Sequence, residues 1–138
     1  MRAAKSQAGV MLIEALIGIL IFSIGILGLV GLQSASIKNM TEARYRSEAA
    51  YLVNQIVGRM WSDRTNLASY ALTTATTCTS GTSTLQNWLC QVETNLPGIS
   101  ATANRPEVVI AGDQVTVTLR WQLPGADARR YVVVTRIN

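Results

Sequence analysis

Gly9-Val10-Met11-Leu12-Ile13-Glu14 opens an apolar run that reaches Leu32, and from Val10 onward its only polar side chains are Glu14 and Ser23. A hydrocarbon core about 30 Å thick takes about 20 apolar residues of helix, so this run is long enough to span a bilayer. A carboxylate at mid-membrane costs about 2.5–3.5 kcal/mol on insertion scales. Glu14 lies near one end of the run, which lowers that cost but still leaves a charge in need of a partner. The segment 1–9 in front is short, polar and basic, with Arg2 and Lys5, and ends in Gly9. A secretory signal has an apolar core of about 7–15 residues followed by a small-residue cleavage site. The present run is too long for that pattern and carries an acid. Cleavage after Gly9 instead leaves Val10 as a new amino terminus with Glu14 four residues on. In a helix that spacing stacks the carboxylate one turn from the amine on the same face.

These residues resemble the type III signal of the type IV pilins and pseudopilins. That family has a short basic leader ending in Gly, a hydrophobic mature amino terminus and a Glu as fifth mature residue. Counted from Val10, the fifth residue is Glu14. The resemblance implies that a prepilin peptidase cuts after Gly9 and methylates the amine of Val10. It also implies that Glu14 pairs with the amino terminus of a neighbouring subunit during assembly. The first mature residue of the family is usually Phe or Met, where Val10 stands here. Within the family, the stretch Ser23-Ile24-Gly25-Ile26-Leu27-Gly28-Leu29-Val30-Gly31-Leu32-Gln33 looks most like the minor pilins of the PilV type, the type IV pilus modification proteins. The specific resemblance covers about the first quarter of the chain; the rest agrees in its order of elements.

What the resemblance implies is a structural assembly protein, a minor pilin at or near the tip of a type IV pilus. It would help to initiate assembly and support twitching motility and adhesion. The implied partners are other minor pilins, the major pilin, a tip adhesin and the prepilin peptidase. The implied location is the bacterial inner membrane, crossed once with the carboxy-terminal domain periplasmic, and then the pilus at the cell surface. Two alternatives come from other classes. One is a pseudopilin of a type II secretion system, which uses the same signal and helix. The other is a pilin-like DNA-uptake receptor, for which Arg129, Arg130 and Arg136 would supply a basic stripe.

At 138 residues the chain fits one domain beyond its leader and membrane segment. The organisation expected is a removed leader over 1–9, a membrane or filament-core half-helix over 10–33, and a periplasmic domain over 34–138. Net charge is +4, and loss of the leader removes Arg2 and Lys5 while exposing one amine. The mature chain is then only mildly basic, too little by itself to argue for nucleic acid. Cys78 and Cys90 are the only cysteines, and histidine is absent, so a zinc site would lack ligands. In an exported chain the pair reads as a disulfide, stabilising by roughly 3 kcal/mol in the chain-entropy picture.

Beyond Gln33 the apolar positions Ile37, Met40, Tyr45, Ala49, Leu52, Val53, Ile56, Val57 and Met60 recur at three- and four-residue spacing. That is the pattern of an amphipathic helix, and no proline occurs before Pro97. One helix from near Val10 to near Trp61 is predicted, roughly 75–80 Å long at 1.5 Å per residue. Gly18, Gly25, Gly28 and Gly31 in its first half read as close helix packing, as a segment able to unwind, or as the ordinary glycine content of membrane helices. The residues leave these open. The Thr- and Ser-rich stretch 65–82 reads as a loop with one helical turn over Leu67–Leu72. Ser83 with Gln86 resembles a capping box that opens a short helix, its apolar face Leu85, Trp88, Leu89, Val92 and Leu96, closed by Pro97-Gly98. From Glu107 the period becomes two. Three β-rich runs, Val108–Ile110, Val115–Leu123 and Arg129–Ile137, separated by turns at Ala111–Gln114 and Pro124–Asp127, predict an antiparallel meander. The face of Val115, Val117, Leu119 and Trp121 would lie against the amphipathic half of the long helix.

The fold expected is therefore α+β and pilin-like: one long helix, membrane half then amphipathic half, packed on a small carboxy-terminal sheet, with a short second helix and one disulfide. With no histidine, no nucleophile beside an activating partner and scattered acids, no catalytic residue, metal site or cofactor is expected.

Overall fold

The computed structural model describes residues 8–79 and 83–138. Residues 1–7 of the expected leader, including Arg2 and Lys5, and residues 80–82 at the end of the expected Thr- and Ser-rich loop lie outside the described residues. The chain divides into two compact units, one ending at Glu42 and one running from Ala43 to Asn138. Its class is α+β, with elements in the order long helix, short helix, three strands.

Helix α1 spans Ala8–Ser62 without interruption, as the lack of proline requires. Over its first unit the large apolar side chains from Val10 to Met40 are exposed, and no second element covers them within that unit. The helix is long and apolar enough to cross a membrane. Two of its hydroxyls bond back to the helix: Ser23 Oγ donates to the Ile19 carbonyl at 2.7 Å and Thr41 Oγ1 to that of Ile37 at 2.9 Å. Ile37 and Met40, expected on the amphipathic face, belong to this unit and are exposed. The buried stripe is Ala49, Leu52, Val53, Ile56 and Met60, with Tyr45 and Val57 partly buried beside it.

After α1 a 3₁₀ segment, Arg64–Tyr70, replaces the single turn expected over Leu67–Leu72. Leu72 instead exchanges backbone hydrogen bonds with Val108, donating at 3.0 Å and accepting at 2.9 Å. Helix α2 spans Thr84–Asn95. Ser83 caps it, its Oγ accepting from the Gln86 N–H at 3.2 Å. Among the described residues the reciprocal half of the expected box is absent; Gln86 Oε1 accepts instead from the Thr79 N–H at 3.2 Å. Trp88, Leu89, Val92 and Leu96 are buried and Leu85 is partly so, giving the face read from the sequence.

The sheet is an antiparallel meander of β1 (Glu107–Ala111), β2 (Gln114–Trp121) and β3 (Arg129–Arg136), with β2 central. The β1–β2 hairpin turns on Gly112-Asp113, with Gly112 at φ 64° supplying the left-handed first position of a two-residue loop. Strand β2 stops at Trp121, two residues short of the expected Leu123, because the Gln122 N–H leaves the ladder for the Pro97 carbonyl at 2.9 Å. Val115, Val117, Leu119 and Trp121 are buried in one core cluster with the α1 stripe and the α2 face. Burying a side chain of this size stabilises by about 1.5–3 kcal/mol, so this shared core holds the second unit together.

Candidate functional site on the amino-terminal helix

Gly9, Val10 and Glu14, read from the sequence as cleavage site, new terminus and charge-pairing acid, all lie on α1. At 100° per residue, positions four apart are 40° apart around the axis, so Val10 and Glu14 share a face. Val10 is 69% exposed, and beyond the adjoining helix backbone no described atom lies within 4 Å of where a Cβ on Gly9 would sit. Ala8 and Gly9 are already helical, so no break in the backbone marks the Gly9–Val10 bond. Among the described residues Glu14 has no hydrogen-bond or ion-pair partner. This carboxylate thus lies on an apolar helix one turn from Val10, the residue whose amine the expected cleavage would expose. Gly18, Gly25, Gly28 and Gly31 likewise meet nothing within 4 Å.

Cys78 and Cys90 form a disulfide with Cα atoms 4.9 Å apart. It pins the loop before α2 to the helix, and two further contacts hold the same place. The Cys78 N–H donates to Glu93 Oε1 at 3.2 Å, and the Thr79 N–H donates to Gln86 Oε1. These contacts between loop backbone and helix side chains have no local sequence signal.

The basic residues of β3 do not form one stripe. Arg129 stands opposite Trp121 in register, on the core side of the sheet, whereas Arg130 and Arg136 stand opposite Arg120 and Gln114 on the outer side. Arg120 is engaged by Glu107 at 3.1 Å. Elsewhere, Tyr70 Oη donates to Asp63 Oδ2 at 3.3 Å. Burial, then the negative charge of Asp63, pushes the Tyr70 phenol above its ordinary value. Glu93, Glu48 and Asp63 each line a surface cleft, those of Glu93 and Glu48 sharing Tyr45, Thr94 and Asn95. Among the described residues no group of three or more Cys, Asp or Glu could hold a metal ion. Comparison of the chain with protein-family models, with curated proteins and with solved structures returns no match.

Proposed function

We propose that this chain is a minor pilin of a type IV pilus, processed after Gly9, incorporated at or near the tip and helping to start assembly. The observation that carries the reading is Glu14, a carboxylate with no partner among the described residues, on an exposed apolar helix four residues after Val10. Such a surface is suited to lipid first and to a bundle of like helices afterwards. In the bundle, the freed amine of a neighbour's Val10 would supply the missing positive charge. Two unit charges 4 Å apart attract by about 4 kcal/mol at an effective dielectric of 20 and by about 1 kcal/mol in water. The pair therefore gains strength as subunits stack and water is excluded.

The second unit supports the same reading in a different way. Its Cys78–Cys90 disulfide fits an oxidising compartment, which supports a periplasmic carboxy-terminal domain in this reading. The proposed partners are the other minor pilins, the major pilin, a tip adhesin and the prepilin peptidase. A clean deletion in the native host tests the proposal. Loss of surface pili with normal enzyme secretion is expected. Lost secretion with intact pili would instead make the chain a pseudopilin of a type II secretion filament.

A further inference from the structure

Every second residue of β3 turns both its backbone and its side chain outward. The Ile137 N–H donates to the Asp113 carbonyl at 2.8 Å, which fixes the phase of the β2–β3 ladder. By the alternation of antiparallel pairs, residues 129, 131, 133 and 135 direct their backbone groups to β2. Arg130, Val132, Val134 and Arg136 direct theirs to the open edge. The same four lie on the sheet face away from the core, opposite Arg120, Thr118, Thr116 and Gln114 in register. Val132 and Val134 are 44% and 57% exposed. Among the described residues nothing pairs with this edge. The opposite edge is partly closed, since Val108 of β1 exchanges both its backbone hydrogen bonds with Leu72.

An open strand edge is a template for another strand. Here the template has a charge pattern: an arginine at each end, six positions apart, with two valines between on the same face. We propose that the β3 edge accepts an extended segment of a different protein as a fourth strand. That segment carries two acidic residues six positions apart, with β-branched residues at the alternate positions between them. Opposite charges and β-branched pairs at facing positions stabilise a ladder, whereas like charges destabilise it. A second copy of this chain fits poorly on that ground. Symmetric antiparallel pairing of β3 with itself about Val133 sets Arg130 against Arg136 twice. The inference rests on the second unit alone and does not depend on the reading of the amino-terminal helix.

The test uses the full chain in detergent micelles and two end-blocked synthetic peptides, Glu-Thr-Val-Thr-Val-Thr-Glu and its counterpart with Lys at both ends. Binding is measured by calorimetry and amide exchange by NMR. The acidic peptide is expected to bind tighter by about tenfold, the size of effect that two cross-strand charge pairs produce. It should slow exchange at the amides of Arg130, Val132, Val134 and Arg136 and leave those of Tyr131 and Val133 unchanged. The double variant Arg130→Glu/Arg136→Glu, altered only at exposed positions, should reverse the preference. Equal binding of the two peptides, or protection elsewhere, would overturn the proposal. Edge amides protected without peptide in a concentration-dependent way would put a second copy there instead. An oligonucleotide that binds through Arg130 and Arg136 more tightly than the acidic peptide, without protecting the edge amides, would replace the strand partner by nucleic acid.

Discussion

The indole Nε1 of Trp88 donates a hydrogen bond to the Leu52 carbonyl at 2.8 Å, joining α2 to α1 where both residues are fully buried. The contact spans 36 positions of sequence and places a donor on a helix carbonyl that already serves the α1 ladder. Trp121 offers the contrast. Its Nε1 is also buried but has no partner among the described residues. Trp88→Phe removes a made hydrogen bond along with volume, whereas Trp121→Phe removes volume and an unsatisfied donor. The first should cost about 2–3 kcal/mol and the second about 1 kcal/mol less. Urea titrations followed by near-ultraviolet circular dichroism would rank the two; equal costs would mean that the Trp88 bond adds nothing.

Among the described glycines, Gly98 has the least room for a side chain. Its φ is 73°, and a Cβ there would meet the Gln122 carbonyl oxygen at 2.5 Å. That oxygen cannot move freely, because the Gln122 N–H is bonded to the Pro97 carbonyl at 2.9 Å. Asn104 adds to the restraint, its Nδ2 donating to the Gly98 carbonyl at 2.9 Å and to Gln122 Oε1 at 3.3 Å. Gly98→Ala should therefore destabilise the second unit by about 2 kcal/mol or more, through the left-handed φ and the clash together. Gly58→Ala, at a site on α1 with nothing within 4 Å, is the control and should be neutral or stabilising. Similar losses for both would show that the close approach at Gly98 is not the cause.

The parts of the fold legible in the sequence are those with a local period or a local chemical signature. The α1 stripe from Ala49 to Met60, the Ser83 cap and the alternating face of β2 all carry one. Leu72 does not, being one apolar residue in a Thr- and Ala-rich stretch whose partner Val108 is distant in sequence. Gln86 has the right spacing for a reciprocal cap, but the loop held by the disulfide brings the Thr79 N–H to it first. The exposure of Ile37 and Met40 shows the same limit from the other side: period alone does not say where the covering domain begins. At the candidate site the order is reversed. Gly9, Val10 and Glu14 are singled out by residue type and spacing, and the structure adds that they share one helix, with no partner for Glu14 among the described residues.

Tyr70 gives the second unit an alkaline limit. Burial and the nearby Asp63 carboxylate raise its pKa above the ordinary phenolic value of 10.0. Between that value and the raised one, the folded chain keeps a proton that the unfolded chain has lost, so stability falls as pH rises. Below the ordinary value both states are protonated and the contribution is constant. The drop in unfolding free energy from about pH 9 to about pH 11 should be larger in the parent chain than in Tyr70→Phe. Equal drops would place the alkaline sensitivity elsewhere.

Glu14→Ala separates processing from assembly. On the proposed reading the peptidase would recognise the segment up to Gly9 and not Glu14, so cleavage should proceed as in the parent. Incorporation into sheared filaments, measured by immunoblot against the total cellular pool, should fall by tenfold or more, equivalent to about 1.4 kcal/mol. Normal incorporation would remove the charge pair from the assembly step.

The amino-terminal peptide of the protein isolated from its native host, read by mass spectrometry, bears most directly on the pilin reading. A peptide that begins at Val10 and carries one methyl group on its α-amine is the expected result. A peptide that begins near Ser36, as cleavage beyond the apolar run would leave it, would contradict the reading, because Glu14 would then be absent from the mature protein.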